Sequence, residues 1–392
     1  MDYERALCND PVLIKEWFKR VEDTIQQYGI VTTDIYNFDE TGFQMGAAAT
    51  CKVVTSAQTK GRPPVTQPGD TEWVTIIECI NASGWAITPM VILAGKVHIS
   101  TWYDERTFPS DWKIALSDTG WTNDKLGLYW LTEVFDKCTR NRTVGQYRLL
   151  ILDGHGSHDT LEFDQYCKNN NIIALCMPAH SSHLLQPLDV GIFSPLKRSY
   201  RQAIDTNMRS GINHIDKEEF LRIYPFARAN AFTTSNIYGA FRGARLVPLD
   251  AAIVLEHLKA VPRPSTPIES TNPMEPFVLR TPQNISQLQR HTAIVLESLR
   301  KGSHSPGSPE QHIIEQLCKS AEIAMHTAAL IASTNESLTA TNARLSRKQA
   351  KKRSYISHGG VLTGEEGAAL AEAKANKPAK KRTNKVTKSR KK

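Results

Sequence analysis

The run Leu149-Leu150-Ile151-Leu152, closed by Asp153 and Gly154, constrains this chain more than any other feature. Consecutive large aliphatic residues without polar alternation describe a strand covered on both faces, as at the centre of an α/β sheet. A carboxylate directly after such a run stands at the strand's end. Gly154 and Gly156 permit a tight turn that aims it into a cleft. In open α/β sheets that end is where ligands bind.

Two further aspartates have comparable settings. Asp39 closes the apolar run in Ile35-Tyr36-Asn37-Phe38-Asp39-Glu40-Thr41-Gly42. If Ile35 to Asp39 is extended, Asn37, Asp39 and Thr41 share one face and Glu40 takes the other, which favours Asp39 over Glu40 as a ligand. Between Asp153 and Asp189 there is room for a helix around Leu161 to Lys168, a strand Ile172 to Met177 and a loop, a unit that returns the chain to the same end of the sheet. Pro187 suits a helix start, and Val190, Ile192, Phe193, Leu196 and Tyr200 follow at helical spacing, so Asp189 falls on the first turn. Three anions in one cleft repel unless a divalent cation neutralises them, and an all-oxygen donor set selects Mg²⁺ or Mn²⁺. Two such ions about 3.5 to 4 Å apart would clamp the attacking and leaving oxygens of a phosphodiester.

Three blocks carry a family resemblance: Tyr36-Asn37-Phe38-Asp39-Glu40-Thr41-Gly42-Phe43, Leu152-Asp153-Gly154-His155-Gly156-Ser157-His158, and Pro178 to Asp189 with its His180-Ser181-Ser182-His183-Leu184-Leu185-Gln186-Pro187-Leu188 interior. In this order they resemble the signature blocks of the DDE-superfamily endonuclease domain of pogo-like transposases in the mariner superfamily. The likeness takes in Thr119-Gly120-Trp121-Thr122 and runs from about Leu13 to Pro248. It implies a ribonuclease-H-like mixed sheet flanked by helices, in which three acidic residues bind Mg²⁺ for DNA cleavage and strand joining, and those match Asp39, Asp153 and Asp189. It also places His155, His158, His180 and His183 around the carboxylates. The expectation is that His155, His158 and His183, with Lys197 and Arg198 on the following helix, contact phosphate or the metal-binding groups. A solvated helix face is the competing reading for Lys197, Arg198 and Arg201.

Other chemistries fare worse. Gly154 to His158 is not a Gly-x-Ser-x-Gly nucleophile elbow, and the histidine pairs, three apart in loops, are poor zinc ligands. Seven scattered cysteines without a CxxC pair fit free thiols. No apolar stretch is long enough to span a membrane and no signal peptide opens the chain, so nothing targets it to a membrane. No small-molecule cofactor is expected, and the expected location is the nucleus. Trp85, Trp112, Trp121 and Trp130 read as packing residues.

The net charge of +8 is concentrated at one end. From Arg344 onward there are 16 Lys or Arg against three acids, a net +13 that leaves the first 343 residues at −5. Such a segment is too hydrophilic to pack, attracts nucleic acid by counterion release, and reads as a nuclear-targeting or solvating tail. The domain expectation is a helix in 1–30, the remnant of a linker to a DNA-binding domain; a catalytic domain in 31–259; a proline-rich linker with a short helix in 260–307; a coiled-coil-like helix in 308–352; and a disordered basic tail in 353–392. The helix starts at a Ser308-Pro309-Glu310-Gln311 capping box and repeats Leu317, Ala324, Ile331, Leu338 and Leu345 every seven residues, a seam for a homodimer or for packing on its own domain.

Pogo-like transposases usually carry paired helix-turn-helix domains ahead of the catalytic domain, whereas 38 residues precede Asp39 here and read as one helix. The expectation is therefore a catalytic module without its specific DNA reader, binding DNA but not transposing autonomously. A domesticated, non-catalytic DNA-binding protein resembling centromere protein B is the alternative.

Overall fold

The computed structural model describes residues 11–45, 72–153, 160–179, 181–209, 215–252, 309–350 and 353–376. The chain divides into two compact units, 1–260 with 351–392, and 261–350.

The first unit is built on one mixed sheet. Its strands are β1 (Ile35–Gln44), β2 (Trp73–Asn81), β3 (Trp85–Ala86), β4 (Met90–Ala94), β6 (Lys113–Ser117), β7 (Arg148–Leu152), β8 (Ile172–Cys176) and β10 (Val361–Thr363). They run in the order β10-β6-β4-β2-β1-β7-β8, with β3 paired to β2. The pairs β1 with β2 and β2 with β4 are antiparallel, whereas β1 with β7 and β7 with β8 are parallel. An antiparallel meander joined at its first strand to a parallel pair is the ribonuclease-H-like arrangement. Every residue of β7 is buried, as its uninterrupted aliphatic run requires. β2 turns into β3 through Ala82-Ser83-Gly84, where Gly84 has φ +91°, a left-handed conformation that favours glycine.

Helices cover both faces. On one lie α1 (Pro11–Tyr28), α5 (Phe193–Arg209), α6 (Lys217–Ala231) and α7 (Thr234–Gly243), burying Trp17, Ile192, Leu196, Phe220 and Phe241 with Ile35, Ile76, Leu149 and Ile151 of the strands. On the other lie α2 (Asp124–Trp130), its wider continuation Leu131–Asp136 and α3 (Leu161–Asn169), burying Trp130, Phe135 and Phe163 with Tyr36, Phe38, Leu150 and Leu152. Burying one such side chain contributes about 1.5–3 kcal/mol, so alternate residues of β1 and β7 drive opposite layers together. The helix expected over Pro11 to Tyr28 is present, with its buried stripe at Ile14, Trp17, Phe18 and Val21 while Leu13 is exposed. Trp17 Nε1 donates to the Cys176 carbonyl of β8 at 3.2 Å. The helix is thus an integral layer of the domain, where the remnant of a linker was expected.

The C-terminal expectation needs correction too. Residues 353–376 fold back into the first unit: β9 (Tyr355–His358) pairs with β5 (Val97–Ile99), β10 forms the edge beyond β6, and α9 (Gly364–Ala375) follows. The run Tyr355-Ile356-Ser357-His358 and Val361-Leu362-Thr363 supplies strand formers, and Thr363 with Glu366 makes a capping box, signals that the net charge of the whole segment overrides when it is read as one block. Gly367 lies so close to the Tyr103 ring that any β-carbon would collide with it. The polybasic stretch from Lys377 lies outside the described residues, as do the proline-rich linker and its short helix. In the second unit, α8 (Pro309–Ala350) is one helix of 42 residues that exposes Ile323, Leu330, Ile331 and Leu338. Its expected cap, Ser308, lies outside the described residues.

Candidate functional site

The parallel register of β1 and β7 builds the site. Its last pair is Asn37 with Ile151, and two residues further along each strand stand Asp39 and Asp153. Neighbouring strands are about 4.8 Å apart, so the two carboxylates leave the same face side by side. β7 ends at Leu152, as expected, but β1 continues to Gln44 against β2. Asp39 is therefore within its strand, beside the point where its β7 neighbour has stopped.

Asp189 comes from the opposite wall. After β8 the chain makes a short helix, α4 (Ser182–Leu185), and then a wide π turn, Leu188–Ile192, that runs into α5. Pro187 directly precedes it, and Asp189 is on its first turn, as the spacing predicts. Such wide turns recur at functional sites because they displace side chains from the regular helical rows. Here Gly191 allows the turn to lie against α7, since a β-carbon would come within 2.6 Å of the Ala240 β-carbon.

Electrostatics tie the three together. Burial pushes the Asp39 carboxyl well above the usual carboxylate range, and the negative charges of Asp189 and Asp153 push it further. Hydrogen bonds from Gln186 and from the Glu40 N–H, at 2.7 Å, pull it back in part. Asp189, at the open rim, is also raised by desolvation; Lys197 opposes that shift, Asp153 reinforces it, and His183 opposes it. The structure thus brings Asp39, Asp153, Asp189, His183 and Lys197 within electrostatic reach of one another. Arg198 is exposed on α5, and His155, His158 and His180 lie outside the described residues.

A fourth carboxylate escaped the sequence reading. Glu78 of β2 stands directly opposite Asp39 in the ladder and is fully buried. Arg228 of α6 donates to both its oxygens, at 2.8 and 2.9 Å, and the Tyr224 hydroxyl to one, at 2.6 Å. Its charge is already met within the protein by Arg228. A lone glutamate in the apolar strand Trp73-Val74-Thr75-Ile76-Ile77-Glu78-Cys79-Ile80 was the available signal. On the other sheet face, the Thr122 hydroxyl donates to Glu40 at 2.6 Å, so Glu40 is turned away from Asp39 as the strand alternation requires. Trp121 is 55% exposed and stacks on Trp73, while Trp112 and Trp130 are buried as expected.

An all-carboxylate donor set in which neighbouring negative charge raises the pKa of Asp39 and Asp189 suits a hard divalent cation. Among the described residues, however, no three His, Cys, Asp or Glu side chains already stand close enough to hold a metal. The fit is one of donor chemistry and shared cleft.

The DDE superfamily endonuclease family profile matches residues 70–241. A pogo transposable element with KRAB domain from Mus musculus is 30% identical over 128 residues, 33% of this chain and 20% of that protein. A protein named MFS-type transporter clz9, from Cochliobolus lunatus, is 48% identical over 275 residues, 70% of this chain and 30% of that protein. The chain thus spans a third or less of the length of these relatives. No described helix is long and apolar enough to cross a membrane. Among solved structures, the Mos1 mariner paired end complex with Mn is 12% identical with a TM-score of 0.41, covering 66% of this chain and 63% of that one. With its three blocks and these matches, the chain is similar over residues 70–241 to DDE-superfamily endonuclease domains, pogo-type among them.

The raised Asp39 pKa makes a signed prediction. Its folded pKa lies above the unfolded value, so ionised Asp39 costs stability at neutral pH, and the cost disappears as the pH falls to where the unfolded carboxyl also protonates. Without divalent cation, Asp39→Asn should raise the melting temperature near pH 7 by several degrees, since about 1 kcal/mol corresponds to roughly 2–4 °C in a domain of this size. The gain should shrink toward acid. A scanning-calorimetry series with the same difference at every pH would contradict this.

Proposed function

We propose that this transposase-derived domain cleaves and rejoins DNA phosphodiesters with Mg²⁺ or Mn²⁺, using Asp39, Asp153 and Asp189. What supports the reading is electrostatic proximity: Asp39 on β1 lies within reach of the charges of Asp153, just after β7, and of Asp189 on the π turn. The three would hold the cation through their oxygens. When bound, it supplies charge neutralisation and Lewis acidity at the scissile phosphate. The protein's own groups do the rest. Asp39 must be ionised to serve, so a proton competes with the cation for its oxygens. Lys197 and His183, whose positive charges already act on Asp189, are placed to attract a phosphate at the cleft's rim. His155 and His158 are proposed to add donors from the loop after Asp153. The Mn and DNA-end complexes of Mos1 belong to that protein, and they motivate the same classes of ligand here.

Incubating the protein with supercoiled plasmid and Mn²⁺ tests this. Nicking should occur with the wild type and fall by about 10³-fold or more in Asp153→Ala, the scale seen when a group central to electrostatic catalysis is lost. Equal nicking by both, or by neither, would move the domain to a DNA-binding role without cleavage, as in centromere protein B.

Residues 377–392, with nine Lys or Arg and no acid, are proposed to strengthen DNA binding and direct the protein to the nucleus. Deleting them should weaken DNA affinity and lower the slope of log K against log salt by several units, about 0.9 per lost phosphate contact. A fluorescent fusion should lose nuclear accumulation. An unchanged slope removes the DNA role, and unchanged nuclear signal the targeting role.

The exposed aliphatic residues of α8, Ile331 and Leu338 of the seven-residue repeat among them, are proposed to pair two copies of the chain. Sedimentation equilibrium should give a dimer that Ile331→Asp with Leu338→Asp converts to monomer. A wild type that is monomeric at tens of micromolar, roughly the range of a modest protein interface, would count against this.

A further inference from the structure

The places of Asp39 and Asp153 follow from sheet register, but nothing in the sheet locates Asp189. Between β8 and the π turn the chain makes only the four-residue helix α4 and connecting loop. Two buried amides bridge that gap. Asn37 Nδ2 donates to the Ile151 carbonyl of β7 at 3.1 Å and to Gln186 Oε1 at 2.9 Å. Asn37 Oδ1 accepts from the Leu188 N–H at 3.0 Å, and Gln186 Nε2 donates to the Phe38 carbonyl of β1 at 3.0 Å. Both side chains are fully buried. The bonded groups adjoin the triad: Asn37 is two residues before Asp39, Ile151 two before Asp153, and Leu188 one before Asp189.

If space-filling were all that was needed, aliphatic residues of similar volume would meet it without desolvating two amides. What the amides add is direction. Each bond fixes a donor and an acceptor on different elements, and leaving a buried amide without its partner penalises any other placement.

We propose that the Asn37–Gln186 pair is a positioning clamp that sets where Asp189 stands relative to Asp39 and Asp153, and through that the affinity of the cleft for its divalent cation. The proposal rests on the metal-binding reading of the triad. Asn37 and Gln186 are positioning residues: they hold the π turn to the two strands.

The test measures Mn²⁺ binding to the full chain by electron paramagnetic resonance, without DNA, together with amide hydrogen exchange across 188–193. Gln186→Leu and Asn37→Leu should each speed exchange there and weaken Mn²⁺ binding by about 10- to 100-fold, the usual cost of losing a group that orients metal ligands. Gln186→Met, close in size but unable to donate to the Phe38 carbonyl, separates bonding from packing: it should reproduce the faster exchange and the weaker Mn²⁺ binding of Gln186→Leu. Wild-type exchange with wild-type affinity in Gln186→Met, or in Asn37→Leu, overturns the clamp. Asp153→Asn in the same titration separates the two claims. Mn²⁺ binding that survives it overturns the metal reading, and exchange across 188–193 in Gln186→Leu then decides the clamp by itself.

Discussion

The parallel pairing of β1 with β7 is the interaction on which the rest of this structure depends. Shifting β1 by one residue would turn Asp39 toward the α2 and α3 layer and drive Tyr36 and Phe38 into the opposite one, because side chains alternate along a strand. The aromatic residues therefore enforce the register that the carboxylates need. Tyr36 and Phe38 are held by Phe135 and Trp130 on one side of the sheet, and Asn37 is held by Gln186 on the other. Apolar packing and polar pairing specify the same alignment.

The cleft separates its carboxylates by environment. Glu78 and Asp39 face each other across the β1–β2 ladder, yet one is met by a forked guanidinium and a phenol while the other has two neutral amide donors and faces the negative charges of Asp189 and Asp153. A protein concerned only with stability would neutralise both. Leaving Asp39 in a repulsive setting is a local cost, and such costs concentrate where a ligand later relieves them.

Much of this was legible in the sequence. The aliphatic run of β7, the helix–strand unit between Asp153 and Asp189, and the start of a helix after Pro187 all rest on local patterns that tertiary structure then respects. The continuation of β1 past Asp39 was not legible, because Glu40-Thr41-Gly42 has weak strand character and is extended by pairing with a β2 that lies some thirty residues away. Glu78 with Arg228, and Asn37 with Gln186, were equally hidden. Their partners are about 150 residues apart, and a buried polar residue shows its role only once its partner is placed. The return of residues 353–376 was missed for a compositional reason: lysines flank a short stretch whose own residues favour strands and a capped helix.

That return gives the polypeptide an unusual topology. The chain completes most of a sheet, departs at about residue 260, and comes back at 351 to lay down the outermost strand. The second unit is thus an excursion anchored at both ends in one fold. A peptide bond broken anywhere within it would yield two polypeptides, neither owning a whole sheet, that stay associated through the ladders between β10 and β6 and between β9 and β5, as the halves of a split protein do.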